Sequence, residues 1–293
     1  MLNDVIILGG GYAGMAAGLQ VARARRRVLV LDAGLRRNRF ASHSHGFLGQ
    51  DGKDPGDIAR QARDQLMAYP SVTWIEEEAV AASAEVNGFT VTLRGGRVEV
   101  GRRLVLATGV QDIYPDVPGL RERWGKKVFH CPYCHGYELD GLLGVLATGP
   151  ASLTQALLVS DWGPVILFLN GSFIPDQDQR LRLEARGVRI EPSTVTEIRG
   201  HSDVVLADGR EIALAGIFVM AKVQPGASLF ADLGCVLDEG PQGSFIRTDA
   251  MKQTTVAGVF ACGDAARSTH SVSMAVGDGA LAGQSVHRSL VLG

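Results

Sequence analysis

Two hydrophobic rhythms alternate along this chain. Short apolar runs, Val5 to Leu8, Val28 to Asp32, Arg103 to Ala107, Val145 to Thr148 and Val165 to Leu169, have the length and branched composition of buried strands. Between them lie longer stretches of small and apolar residues, Tyr12 to about Arg25 and Ser152 to about Trp162, that suit helices laid against a sheet. Strand, helix and strand in succession predict a βαβ unit on a parallel sheet, and the pattern occurs twice.

The second unit opens near Gly144 and closes near Pro225-Gly226. Ahead of it, Tyr114-Pro115-Asp116-Val117-Pro118-Gly119 is turn-rich and reads as a crossing between domains. After it come a strand at Val259 to Ala261, the turn Cys262-Gly263-Asp264 and a small-residue helix from about Met274 to Leu292. This tail has no complete βαβ of its own, so it is expected to return and finish the first domain. The expected fold is α/β, with two Rossmann-like nucleotide-binding domains of three-layer ββα type. One is discontinuous, over residues 1–112 and 229–293, and the other is inserted over 113–228.

Composition narrows the function. With 293 residues, 46% hydrophobic and 20% charged, the chain can bury two cores, and disorder is not expected. Lys plus Arg (29) nearly balances Asp plus Glu (31), so the net charge of -2 gives no reason to expect nucleic acid or an acidic membrane as partner. No apolar run reaches the roughly 18 residues of a membrane helix. The strand-like DVIIL begins within three residues of Met1, which leaves no signal peptide, and the expected compartment is the cytoplasm. There, a close pair among only four cysteines is more often catalytic than structural.

Gly9-Gly10-Gly11-Tyr12-Ala13-Gly14 satisfies G-x-G-x-x-G between a strand and a helix, and Asp32 ends the next strand 23 residues after Gly9. Each position has a purpose in dinucleotide binding. Gly9 makes the tight turn, Gly11 lets the amides around Tyr12 and Ala13 reach a pyrophosphate, Gly14 allows close packing, and Asp32 accepts from ribose hydroxyls.

The string HCPYCHGYE over residues 130 to 138 carries the most chemistry. Cys-x-x-Cys spacing predicts that Cys131 and Cys134 share the first turn of a helix, where the dipole favours a thiolate and a disulfide opens with little backbone movement. Three other uses of the pair remain open: zinc, although Cys235 and Cys262 are isolated; covalent haem, through the literal C-x-x-C-H ending at His135; and inert buried thiols.

Gly-x-Gly-x-x-Gly, the strand end LVLATG at Ala107-Thr108-Gly109, Cys-x-x-Cys and the string GVFACGD occur here in the order found in the low-molecular-weight thioredoxin reductases. The chain resembles that family over essentially its whole length. The stretch SHGFLGQDG and the string CPYCHGYE are similar to its branch of small-molecule dithiol oxidases. The resemblance implies FAD as cofactor, with Gly263 and Asp264 on the ribityl side and Ala107, Thr108 and Gly109 beneath it. His45, His270, Ser271 and Val272 join the candidate cofactor-binding residues. It further implies that Cys134 faces the flavin and Cys131 exchanges with substrate, and that the protein is a homodimer.

The inserted domain departs from a reductase. Ala147-Thr148-Gly149-Pro150-Ala151-Ser152 replaces the glycine-rich NADPH loop, and Asn170-Gly171-Ser172-Phe173 replaces the arginine cluster that grips a 2'-phosphate. Use of NADPH is therefore doubtful, and electrons are expected to leave through the flavin to oxygen. The expected substrate is a small-molecule dithiol or a thioredoxin-like protein. His135 stands where a reductase has an aspartate and is the candidate base, with a capping or packing role as its alternative. Glu138, one helical turn beyond Cys134, is a candidate for orienting a histidine or else a solvated carboxylate. An NAD(P)H-dependent disulfide reductase and a flavin-binding redox sensor are the competing functions.

Overall fold

The computed structural model describes residues 2–293 and divides the chain into two compact units. One comprises Met1–Arg39, Phe47–Gln111 and Val223–Gly293; the other comprises Phe40–Gly46 and Asp112–Lys222. The chain thus returns to the first unit about six residues earlier than 228–229, and the second unit also takes in Phe40–Gly46. Packing explains that addition: a Cβ built on Gly125 would lie 2.9 Å from Cβ of Phe40, so the turn at Gly125 and this segment are in contact.

In the first unit Val72–Ile75, Val28–Leu31, Asn3–Leu8, Val98–Leu106 and Val259–Ala261 run side by side and parallel. Ala79–Glu85 and Gly88–Leu93 add an antiparallel meander on the first half of Val98–Leu106. The tail therefore does complete this unit's sheet, as its lack of a βαβ predicts. Alternate residues of the first strand serve two cores. Val5 and Ile7 join the helical residues Val21, Ala282 and Val286, while Ile6 and Leu8 join Phe89, Val91 and Leu93 of the meander. Continuous apolar runs are what a strand buried on both faces needs.

Helix Tyr12–Arg23 lies against the C-terminal helix Val272–Leu292 along a line of glycines. A Cβ on Gly279 would collide with the Ala13 carbonyl oxygen, and one on Gly283 with that of Ala17. The small-residue composition of both helices is thus a requirement of backbone-to-backbone contact.

The second unit has five parallel strands in the order Arg189–Glu191, Val165–Phe168, Leu143–Leu146, Gly216–Val219, Val128–Phe129. Helices Ser152–Val159 and Gln177–Ala185 supply Leu153, Ala156 and Leu183 to the core on one face. The antiparallel ribbon Val195–Arg199, Asp203–Leu206, Glu211–Ile212 supplies Val195, Ile198, Val204 and Leu206 to the other. Both units are therefore three-layer ββα sandwiches of Rossmann type. The first helix of this unit stops at Val159, short of Trp162, because Gly163-Pro164 follows and cannot continue it. No helix among the described residues is long and apolar enough to cross a membrane.

Candidate active site

The first strand ends in a turn that only glycine can make. Gly9 takes φ +106°, and a side chain there would run into the Ala107 carbonyl oxygen; a side chain on Gly14 would strike that of Gly9. Gly11, by contrast, faces open space. It caps the helix without a side-chain bond, and the first backbone bond of that helix is donated by Met15 to Gly11 (2.9 Å). The amides of Tyr12, Ala13 and Gly14 therefore end the helix without protein acceptors, as a dinucleotide pyrophosphate requires.

Around this cradle the remaining candidates have distinct partners. Asp32 Oδ1 accepts from Gly10 N (3.1 Å), which holds its carboxylate beside the glycine turn. Tyr12 Oη donates to Pro55 O (2.9 Å) and accepts from Asn38 Nδ2 (3.2 Å). Gly109 takes φ +64° after Ala107 and Thr108, and its carbonyl accepts from Gly226 N (2.9 Å). Gly263 (φ +69°) leads into Asp264, whose Oδ2 receives Arg37 Nη1 at 3.2 Å. Ser271 caps the last helix, its Oγ accepting from Met274 N (3.1 Å); Val272 begins that helix, and His270 Nε2 lies 3.1 Å from Arg267 O.

In the second unit Cys131 and Cys134 are joined as a disulfide, their Cα atoms 5.4 Å apart. Cys131 is the extended N-cap of a single helical turn, Pro132–His135, and only Cys134 lies within it. This corrects the expectation that both sulfurs share the turn. Four residues align too few peptides for an effective dipole. Pro132 opens the turn, where its missing amide hydrogen costs least.

The turn ends at His135 with Gly136 as its cap, and Leu139 beyond it is buried. Glu138 is consequently off the helix, not one turn above Cys134, and meets His45 instead, with His45 Nε2 3.5 Å from Glu138 Oε1. His45, a candidate for the cofactor, thus belongs with the residues of the redox loop. His135 is largely buried against Phe129, ring centroids 4.2 Å apart. Burial, then the nearby His45, push its pKa down from 6.5 to about 4. His130 stacks on Trp124, and its carbonyl accepts from Gln155 Nε2 (3.0 Å), a residue only 3% exposed. Cys235 and Cys262 are buried singly; burial pushes the Cys262 thiol up to about 12, which makes it inert packing.

Comparison with known proteins identifies this arrangement. The family model for pyridine nucleotide-disulphide oxidoreductases matches residues 3–159 and 175–279. The chain belongs to that family. It is 32% identical to the thioredoxin reductase tcpT of Claviceps purpurea, over 98% of this chain and 94% of the relative. Among solved structures, an oxidoreductase from Agrobacterium tumefaciens is 56% identical with a TM-score of 0.97, covering 99% of both chains. HlmI is 38% identical with a TM-score of 0.91, covering 99% of this chain and 92% of that one.

Thioredoxin-reductase-like members of this family bind FAD, and the first unit fits that group. Beside the unused amides and the open face of Gly11, Arg36 Nε and Asn38 Oδ1 are buried without hydrogen-bond partners. Buried polar atoms of that kind call for a partner, which a bound dinucleotide would supply. The corresponding helix start of the second unit is built differently. Ser152, Leu153 and Thr154 donate their amides to the carbonyls of Gly149, Pro150 and Ala151 (3.0 to 3.1 Å), and Thr148 N donates to Ser152 Oγ (3.0 Å). Pro150 has no amide to give. At the end of the next strand, Asn170 Oδ1 accepts from Val195 N (2.9 Å), so that side chain is spent on the fold.

Sequence reasoning missed Arg37, Phe129 and Gln155. Arg37 had a signal, the basic run Arg36 to Arg39, which is too short to mark a patch but long enough to supply one buried partner. Nothing local in the sequence marks Phe129 or Gln155 as part of the site.

Proposed function

We propose that this enzyme oxidises a small-molecule dithiol to its disulfide through Cys131 and Cys134, with FAD as cofactor and oxygen, not NADPH, as the electron partner. The contrast between the two helix starts carries this reading. The amides at Tyr12 to Gly14 are all left for a pyrophosphate, whereas at the matching positions Pro150 has no amide hydrogen and Ser152 donates its own to Gly149 O. Asn170-Gly171-Ser172-Phe173 also brings no cation for a 2'-phosphate. With no nicotinamide to supply electrons, the dithiol is left as the donor.

A substrate thiol gives up its proton and attacks Cys131 Sγ; the Cys131–Cys134 bond breaks, and Cys134 leaves as a thiolate. The second substrate thiolate attacks the mixed disulfide, closes the product disulfide and releases Cys131. Two electrons and two protons leave the substrate, and the enzyme pair ends as a dithiol. His135, neutral at physiological pH, is the proton acceptor in this scheme, and Glu138 with His45 orients the group around it. Gly9, Gly11, Gly14, Asp32 and Asp264 would hold FAD, which would supply the two-electron acceptor for the return of the cysteines to a disulfide, with oxygen as final acceptor.

Anaerobic mixing tests the proposal. Dithiothreitol should bleach the flavin and NADPH should leave it oxidised. Rapid bleaching by NADPH, coupled to reduction of thioredoxin, is the outcome expected from the likeness to the thioredoxin reductase of Claviceps purpurea, and it would overturn the oxidase reading.

A further inference from the structure

The second unit contains a cavity of about 180 Å3 lined by Ser42, His43, His45, Gly125, Lys126, Lys127, Phe129, His135, Glu138 and Leu139. Phe40–Gly46 lies on this unit and supplies Ser42, His43 and His45 to the cavity wall, and the turn at Gly125 packs against Phe40. In the chain, His135 directly follows Cys134 and Phe129 stands two residues before Cys131, so the cavity wall is continuous with the redox loop.

Its charges do not cancel. Glu138 is the one carboxylate in the lining, and it faces His45 at 3.5 Å. Lys126 is exposed and Lys127 half-buried, and neither has an ion-pair partner among the described residues. Two lysines without counter-ions beside a small concave surface concentrate anions there, because the walls exclude water and focus the field. The volume suits a carboxylate on a short chain, not a folded partner.

We propose that this cavity is an anion subsite, with Lys126 and Lys127 holding the carboxylate of an acidic small-molecule dithiol while its thiols reach Cys131. The assignment rests on the oxidase reading for its chemistry, but the anion binding does not. Capture of the carboxylate tethers the dithiol next to the disulfide and converts the first thiol attack into a nearly intramolecular step. The same positive field favours the substrate thiolate over the thiol.

The experiment compares dihydrolipoate with its neutral amide, dihydrolipoamide, as substrates of the FAD-loaded enzyme, and compares their cyclic disulfides, lipoate and lipoamide, as ligands by calorimetry. The wild-type enzyme should prefer the carboxylate in kcat/KM and in affinity by roughly tenfold, the loss of one charge pair in a cleft. That preference should shrink when salt rises from about 0.05 to about 0.5 M. The double variant Lys126→Met, Lys127→Met should abolish the preference in both measurements, and Lys126→Arg, Lys127→Arg should keep it. Equal handling of acid and amide by the wild type, or equal losses for both in the methionine variant, would overturn the subsite. So would a lysine effect confined to reduced thioredoxin, which would make the surface a protein-docking feature. Lysine-dependent lipoate binding without turnover of any dithiol would sustain the subsite and sink the oxidase reading instead.

Discussion

The imidazole of His135 lies on the ring of Phe129, with planes 22° from parallel and the pKa of the histidine pushed down to about 4. Desolvation is the larger cause, because a charged imidazolium cannot recover its hydration between an aromatic face and a neighbouring histidine. The ring is therefore neutral, with its lone pair unprotonated, at any pH above about 4. If His135 accepts the substrate proton, the acid limb of kcat/KM should fall near pH 4 and not near the ordinary 6.5, and His135→Gln should remove that limb. A limb that stays in place in the variant would assign the proton to another group.

The same shift has a consequence for stability. The unfolded imidazole takes up a proton near pH 6.5, whereas the folded one refuses it until about pH 4. The unfolded state thus binds more protons between those values, and stability rises with pH across that window. It is complete above about 6.5 and decreases as pH falls toward 4, by on the order of 3 kcal/mol at most for this group. Urea titrations of the wild type and His135→Gln at several pH values should show a smaller acid loss in the variant.

Cys131 and Cys134 are disulfide-bonded, and if the pair carries the proposed reaction as a unit its variants should not add. Cys131→Ser, Cys134→Ser and the double variant are each expected to lower dithiol turnover by about 10³-fold or more, with little further loss on combination. Cys134→Ser should trap a mixed disulfide between Cys131 and a monothiol or dithiol substrate, visible by intact mass. A mixed disulfide on Cys134 in the Cys131→Ser protein alone would reverse the assigned roles.

The glycine line behind the cradle makes a structural prediction. Gly14→Ala pushes a methyl group into the Gly9 carbonyl, and Gly279→Leu pushes a side chain into that of Ala13. Overpacking of this kind costs about 1–3 kcal/mol. Both variants should purify with reduced FAD content and a lowered Tm, whereas Gly11→Ala, which meets nothing within 4 Å, should keep its fold and lose affinity for the dinucleotide only.

Cys262 should be silent in every thiol assay of the folded protein. It is fully buried and its thiol is pushed up to about 12, so almost no thiolate exists at neutral pH. After reduction, alkylation under native conditions should label Cys131 and Cys134 and leave Cys262 unmodified by peptide mass.

What the sequence could determine was whatever depends on neighbours a few positions apart. Gly9, Gly11 and Gly14 between an apolar run and a small-residue helix announce a dinucleotide turn, because backbone sterics over six residues decide it. Cys131 and Cys134 announce a redox pair for the same reason, and the return of Val259–Ala261 to the first sheet follows from the absence of any other partner nearby. The tertiary structure alone decided which distant groups meet. It pairs Arg37 with Asp264 across 227 positions, brings His45 to Glu138, and lays Phe129 on His135. It also spends the amides of Ser152 to Thr154 on their own loop, where the sequence showed only a missing glycine and an added proline. Such contacts are set by the close packing of whole layers, and no local pattern in the chain encodes which side chains a folded sheet and its helices will press together.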